Sequence, residues 1–278
     1  MSKYIFGKGG EHLVQIERRV RNSNHLFLFL DYDGTLVGIR STPHLAVPSD
    51  RLRLLLKRLR NLRSTTLGVI TGRSLADIKS LLKLTGIVVA ANHGFEMIAD
   101  GKNWIHPGVS KRAPDLRSVS TAIRHDLRTT RGVLVEHKGS TLSIHYRNVA
   151  PTSVGRLRSV VASAVLPFHE SLVLSAGKKV IEIRPNVAWS KGHAVLHFLK
   201  HTKRPGTSLV VYCGDDVTDE DAFSMLPKKS VTIRVGKAGR SRARFYVRSV
   251  TEMQRMLHLI YAWRRWPEKL HGGPSEDR

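Results

Sequence analysis

Short unbroken apolar runs alternate along this chain with stretches whose apolar residues recur every three or four positions. Leu26-Phe27-Leu28-Phe29-Leu30 and Leu209-Val210-Val211-Tyr212-Cys213 are apolar throughout, and Val69-Ile70 closes a similar run. Runs of this kind fit strands buried on both faces, as in the middle of a parallel sheet. Between them Leu52, Leu55, Leu56, Leu59 and Leu62 recur at helical spacing, with Arg51, Arg53, Lys57, Arg58, Arg60 and Arg63 on the solvated face, and a second helical pattern covers 74–84. The alternation predicts an α/β core that runs from about His25 to about Ile105, resumes at Trp189 and closes with a helix over 250–263. Residues before His25 make a basic lead-in, partly amphipathic at Leu13-Val14-Gln15-Ile16-Glu17, that reads as a packed helix or a mobile arm. Residues 271–278 read as a disordered tail. No internal repeat is visible.

The texture changes after Ile105. Pro107 and Gly108 interrupt the pattern, a basic helix-like segment covers 115–128, and two β-like runs follow at 132–138 and 140–147. A helical pattern over 151–164 leads to Leu172-Val173-Leu174 and a last run over 179–183. Strand, strand, helix, strand, strand is an α+β pattern, which breaks the parallel alternation and predicts an inserted unit. The expected division is a core of 1–106 and 188–278 with an insert of 107–187.

In a parallel sheet, whatever follows a central strand is delivered to the carboxyl edge, where ligands bind. Asp31 and Asp33 follow the first run at i and i+2, and Gly34 lets the backbone turn beside them. Two carboxylates this close repel unless a cation or a proton stands between them, so the pair predicts Mg²⁺; an Asp-x-Asp-Gly surface turn is the ordinary alternative. Thr71-Gly72-Arg73 ends the second run before a helix, where a hydroxyl and free backbone N–H groups make a phosphate seat. The third run opens onto Gly214-Asp215-Asp216-Val217-Thr218-Asp219-Glu220-Asp221, an acidic cluster that a metal would explain. Lys191, at a predicted helix start, is a solvated lysine by itself and a charge partner for Asp31 and a phosphate as part of the set.

The acidic cluster stands against the trend of the whole chain, which has 46 Lys and Arg against 22 Asp and Glu and a formal net charge of +24. That charge favours anionic partners. The basic residues are scattered, however, and aromatics make up 6% with no interleaved stacking pattern, so a dedicated nucleic-acid module is not expected. The single cysteine, Cys213, excludes an internal disulfide and reads as a buried thiol. No apolar span nears transmembrane length and no signal-peptide pattern opens the chain, so a cytoplasmic protein without membrane attachment is expected.

In order, Asp-x-Asp-Gly-Thr, Thr-Gly-Arg, Lys-Gly and Gly-Asp-Asp-x-x-Asp resemble the motifs of the haloacid dehalogenase-like phosphatases. With Ala91-Asn92-His93-Gly94-Phe95-Glu96, Val135-Glu136-His137-Lys138-Gly139, His145-Tyr146-Arg147 and Gly177-Lys178-Lys179-Val180-Ile181-Glu182-Ile183-Arg184-Pro185, the match sharpens. The set looks like the trehalose-6-phosphate phosphatase family, over about Leu26 to Leu257. The resemblance implies a Rossmann-like haloacid dehalogenase core with a parallel sheet plus an inserted α+β cap domain. It also implies Mg²⁺-dependent hydrolysis of trehalose 6-phosphate. Asp31 is then the nucleophile and Asp33 the acid and base. Mg²⁺ is then held by Asp31, the Asp33 backbone carbonyl and Asp215. Asp216 and Asp219 stand behind these ligands, reach the metal through water, or cap a helix. Thr71 and Lys191 bind the phosphoryl group, and Arg73 orients the site or pairs with a carboxylate. Glu136, Lys138, Arg147, Lys178 and Glu182 resemble the sugar-recognising set, although Glu136 and Lys138 alone would read as a cross-strand ion pair. His93 touches substrate or is an interior histidine, while His137 and His145 read as structural. The short lead-in, with no synthase domain attached, and the basic surface depart from the family pattern. A phosphatase for another sugar phosphate and a basic nucleic-acid-binding protein retaining the fold are the alternatives.

Overall fold

The computed structural model describes residues 2–40, 42–177, 179–202, 207–237 and 239–265, so the tail expected over 271–278 and the candidate Lys178 lie outside the described residues. The lead-in forms β1 (Lys3–Tyr4) and α1 (Glu11–Arg21). It packs as a helix, because Ile16 and Val20 bury one face completely. β2 (His25–Leu30) is buried at every position, as the apolar run Leu26–Leu30 within it requires. α2 (Asp50–Arg60) starts where Ser49 Oγ accepts the Leu52 N–H and turns Leu52, Leu55, Leu56 and Leu59 inward. Arg51, Lys57 and Arg58 remain exposed on its other side. β3 (Thr65–Ile70), α3 (Leu75–Leu82), capped by Ser74, and β4 (Val88–Ala91) complete the first half of the core.

The alternation then stops earlier than the pattern predicts. β5 (Glu96–Ala99) and β6 (Lys102–Ile105) form an antiparallel hairpin on β4. Its two-residue link, Asp100-Gly101, has positive φ at both positions, 49° and 74°, and Asp-Gly is a favoured pair for such a turn. The next helix, α4 (Pro107–Asp126), also begins earlier than the expected position 115. Proline at the first helical position lacks only an N–H that has no partner there. His106 Nδ1 accepts the Gly108 N–H, and burial of Val109, Leu116, Val119 and Ile123 carries the helix through Pro114.

β7 (Leu134–His137), β8 (Leu142–His145), α5 (Pro151–Val165), β9 (Leu172–Gly177) and β10 (Val180–Pro185) follow. The four strands make a separate antiparallel sheet in the order β7-β8-β10-β9. α4 and α5 cover one face, where Leu142, Ile144, Leu157, Val161, Leu172 and Ile183 form a core of their own. The chain then returns through Trp189 to α6 (Lys191–His201), β11 (Ser208–Gly214), α7 (Val217–Met225), β12 (Val231–Val235), β13 (Phe245–Val247) and α8 (Val250–Arg265).

Among the described residues the larger sheet has nine strands in the order β1-β13-β12-β11-β2-β3-β4-β5-β6, parallel from β1 to β4. Alternate residues of β2 feed two cores. Leu26, Leu28 and Leu30 pack with residues of α1, α2, α3 and α8, while Phe27 and Phe29 pack with Val195 and Phe198 of α6 and Phe223 of α7. Gly68 stands opposite Phe29 in the β2–β3 register, and a Cβ there would lie 2.6 Å from Phe29 Cδ1 and 3.3 Å from Val88 Cβ. Gly68→Ala is therefore expected to overpack the sheet and lower stability by about 1–3 kcal/mol. Gly155→Ala, in α5 with nothing within 4 Å of the added Cβ, should raise it by about 0.5–1 kcal/mol through helix propensity. Denaturant midpoints of the two variants check this, and a Gly68→Ala protein as stable as the parent would contradict the packing.

Candidate active site

From β2 the chain moves outward to β3 and β4 on one side, and β11, β12 and β13 extend the sheet on the other. The strand order reverses at β2, so a crevice opens at the carboxyl ends of β2 and β11, the usual ligand position in such sheets. Asp31 leaves β2 there with its N–H bonded to Cys213 O at 2.8 Å, and Thr71 leaves β3 with its N–H on Ala90 O at 2.8 Å.

The centre of the crevice is ionic and buried. Lys191 Nζ, at the first residue of α6, donates to Asp31 Oδ1 at 2.7 Å and to Asp219 Oδ1 at 2.9 Å. Burial favours the neutral amine, yet the two carboxylates outweigh it and hold the Lys191 pKa above the ordinary lysine value. Asp31 moves the other way: burial pushes its pKa well up, the ammonium opposes this, and Asp219 and Asp215 add to the rise. Asp219, fully buried, accepts from Lys191 and the Tyr212 hydroxyl on Oδ1, and from the backbone N–H groups of Asp215 and Asp216 on Oδ2. All four of its lone-pair positions are therefore used, and it holds Lys191 and the 214–216 loop in place.

Asp31, Asp215 and Asp219 bring carboxylate oxygens within 4.8 Å of one another. One ammonium against three carboxylates leaves an excess of negative charge, and burial followed by Asp219 raises the Asp215 pKa to about 6. With Asp219 saturated, Asp31 and Asp215 are the carboxylates open to a cation. Thr35 Oγ1 donates to Asp215 Oδ1 at 3.1 Å. Gly34, at φ 81°, makes room for that carboxylate, because a Cβ there would lie 2.1 Å from Asp215 Oδ2. An all-oxygen donor set with surplus charge fits a hard divalent cation such as Mg²⁺. Asp216 stands apart from this group, exposed at the N-cap of α7, where Oδ1 accepts the Val217 N–H.

Asp33 pairs with Arg73. Arg73 grips it through Nε and Nη2, each at 2.7 Å, and also donates to Asp77 at 2.6 Å and Pro43 O at 2.7 Å. Four of five guanidinium N–H groups are thus engaged, and the cation lies over the Tyr32 ring at 5.0 Å. Arg73 therefore orients Asp33, with most of its donors withdrawn from any substrate.

The polar face of the smaller sheet supplies the opposite wall. Glu136, Ser143, Glu182 and Ser175 lie side by side across its four strands. Glu182 Oε2 lies 2.9 Å from His93 Nε2 of the core, off the line of a good hydrogen bond, and Lys138 Nζ lies 3.6 Å from Glu182 and donates to Gly72 O at 3.1 Å. Burial alone would raise the Glu182 pKa, but His93 and Lys138 hold it far below the carboxylate range. His93 Nδ1 is buried without a partner. Glu136 accepts from His145 at 3.0 Å; burial is overcome by His145 and Lys138, which lower its pKa. Arg147 is exposed beyond the end of β8 that lies farther from Lys138. Sequence reading missed Thr35, Asp77, Tyr212, Glu96 and Asn92; only Thr35, Asn92 and Glu96 stood inside a motif.

Residues 29–251 match the Trehalose-phosphatase family. A trehalose-phosphate phosphatase of Mycolicibacterium paratuberculosis (strain ATCC BAA-968 / K-10) is 36% identical over 217 residues, covering 76% of this chain and 54% of that protein. The chain thus spans about half the length of the curated relatives it matches. A crystal structure titled trehalose-6-phosphate phosphatase related protein superposes with a TM-score of 0.75 at 26% identity, over 85% of this chain and 97% of that one. A haloacid dehalogenase-like hydrolase from Bacteroides thetaiotaomicron shares the fold, with a TM-score of 0.60 at 15% identity over 86% of this chain and 99% of that one. The family match encloses Asp31, Thr71, Lys191 and Asp215, and the fold that carries them is haloacid dehalogenase-like, so the chain belongs to the trehalose-phosphatase family.

Proposed function

We propose that this chain is a Mg²⁺-dependent phosphatase that hydrolyses trehalose 6-phosphate through a phosphoryl group carried on Asp31. The observation that carries this reading is the Lys191 ammonium wedged between Asp31 and Asp219 beside Asp215 at the switch point of the sheet. A phosphomonoester resists attack by anions, so its charge must be neutralised and the nucleophile held in line. Lys191 fixes one oxygen of Asp31 and leaves the other directed to phosphorus, while its third N–H and the Thr71 hydroxyl meet phosphoryl oxygens. The Asp31 oxygen forms the new P–O bond, the bond from phosphorus to the sugar oxygen breaks, and that oxygen leaves with a proton from Asp33. Water then attacks the phosphorus, Asp33 recovers a proton from it, and phosphate departs from Asp31. Each transfer requires Asp33 to release one oxygen from the grip of Arg73. Bound by Asp31, Asp215 and the Asp33 carbonyl, Mg²⁺ would supply charge neutralisation on the phosphoryl oxygens. Glu136, Lys138, Glu182 and His93 line the wall proposed to read the sugar hydroxyls, and Arg147, exposed beyond β8, stands outside it.

Asp31→Asn is expected to fold and to lower turnover on the order of 10⁴-fold, because an amide is a poor nucleophile. Near-normal turnover in that variant, measured by phosphate release, rules out the phospho-aspartyl route. Chelation should stop the reaction and Mg²⁺ restore it, while Ca²⁺ binds with longer, more numerous contacts and supports little turnover. Full activity in excess chelator would remove the metal from the scheme. For the sugar, Glu136→Ala should lower kcat/KM on trehalose 6-phosphate by ~1–3 kcal/mol, far more than on p-nitrophenyl phosphate, which lacks the disaccharide. A panel of sugar phosphates assayed alongside separates trehalose 6-phosphate from other substrates. Equal losses on both esters would leave Glu136 a structural partner of His145.

A further inference from the structure

Asn92 joins the two sheets, and both polar atoms of its side chain are engaged. It is wholly buried, and its backbone takes the left-handed conformation at φ 49°, which asparagine tolerates better than most residues. Its Nδ2 donates to Glu96 Oε1 at 2.7 Å and to the backbone oxygen of Lys138 at 2.8 Å, and its Oδ1 accepts from Thr141 Oγ1 at 3.1 Å. A carboxylate and a carbonyl accept only, so the amide has one orientation here. Glu96 Oε1 also accepts from Ser140 Oγ at 2.5 Å. The 138–141 turn of the smaller sheet is therefore tied to the core through Lys138, Ser140 and Thr141, and every tie ends on Asn92 or Glu96 except the one from Lys138 Nζ to Gly72 O. On the core side, the Asn92 N–H is bonded to Arg73 O and the following His93 N–H to Thr71 O, each at 2.8 Å. One residue thus couples the phosphate seat to the turn that carries Lys138.

We propose that Asn92 is a positioning residue, a polar latch that docks the 138–141 turn on the core and so sets where Lys138 and Glu182 stand over the phosphate seat. Its kinetic consequence rests on the phosphatase reading above, whereas the docking is readable without substrate. A neutral amide suits the task, because water can replace each of its partners when the turn lifts away, so the contact is reversible.

The test uses three variants of the full chain. Asn92→Gly keeps the left-handed backbone and removes only the latch. Asn92→Asp turns the donor into a carboxylate facing Glu96, and Asn92→Asp with Glu96→Gln returns a donor to that pair from the other side. Hydrogen exchange of peptides covering 134–145 should quicken about tenfold in Asn92→Gly, with those covering 26–30 unchanged. KM for trehalose 6-phosphate should rise about tenfold, while kcat for p-nitrophenyl phosphate stays within about twofold. Asn92→Asp should be the worse single variant, and the double variant should recover part of the exchange protection and of KM, the donor to Lys138 O staying absent. Unchanged exchange in 134–145, faster exchange spread over the whole chain, or a double variant no better than Asn92→Asp would each overturn the latch. If the parent protein fails to hydrolyse trehalose 6-phosphate, the functional reading fails instead, and exchange alone decides the latch.

Discussion

The ion group of Lys191, Asp31 and Asp219 is the constraint on which the site is built. Charges this deeply buried are tolerated only when each has its partners, and stripping one partner from such a group costs about 3–5 kcal/mol. Lys191 lies 3% exposed between two carboxylates, and Asp219 lies 0% exposed with four donors around it. These contacts fix the start of α6, the end of β11 and the loop into α7 relative to Asp31. The strands deliver the side chains, but the ammonium sets their spacing.

Around that group the labour is divided by sheet. The parallel sheet presents the carboxylates, the hydroxyl of Thr71 and the lysine at its carboxyl edge. The antiparallel sheet presents a row of carboxylates and hydroxyls, at Glu136, Ser143, Glu182 and Ser175, toward the core. Two charge contacts stand where the halves meet or turn: Glu182 against His93, and Arg73 against Asp33. The first spans both sheets, and the second fixes Asp33, the group proposed to move protons.

Much of this was legible in the chain, and the exceptions have physical reasons. An all-apolar Leu26–Leu30 run has no polar face to expose, so its central place and the position of Asp31 follow directly. The start of α4 did not follow, because Pro107 and Pro114 mark helix ends in most contexts and here fall at a first helical position and in a helix held by burial. The β5–β6 hairpin depended on Asp100-Gly101, a two-residue signal inside a segment with the texture of continuing alternation. Charge patterning located the acidic cluster but could not say which carboxylates are already satisfied. That depended on Tyr212, whose hydroxyl was hidden in an apolar run. Asn92 carries no charge and no periodicity, and its role exists only in three dimensions.

The smaller sheet has a hydrophobic core drawn wholly from residues between Leu116 and Ile183. Its buried hydrocarbon stays covered by its own helices whether or not the unit touches the nine-stranded sheet. Parting the two exposes two carboxylates, an ammonium, an imidazole, an amide and a few hydroxyls, groups that water accepts with a net change of about 0.5–1.5 kcal/mol per neutral hydrogen bond and about 1.5–3 kcal/mol per charged one. Water therefore acts as the lubricant of the joint. A swing of that unit lies within reach of thermal motion on microsecond to millisecond times, and a bulky polar solute can enter or leave with neither core broken.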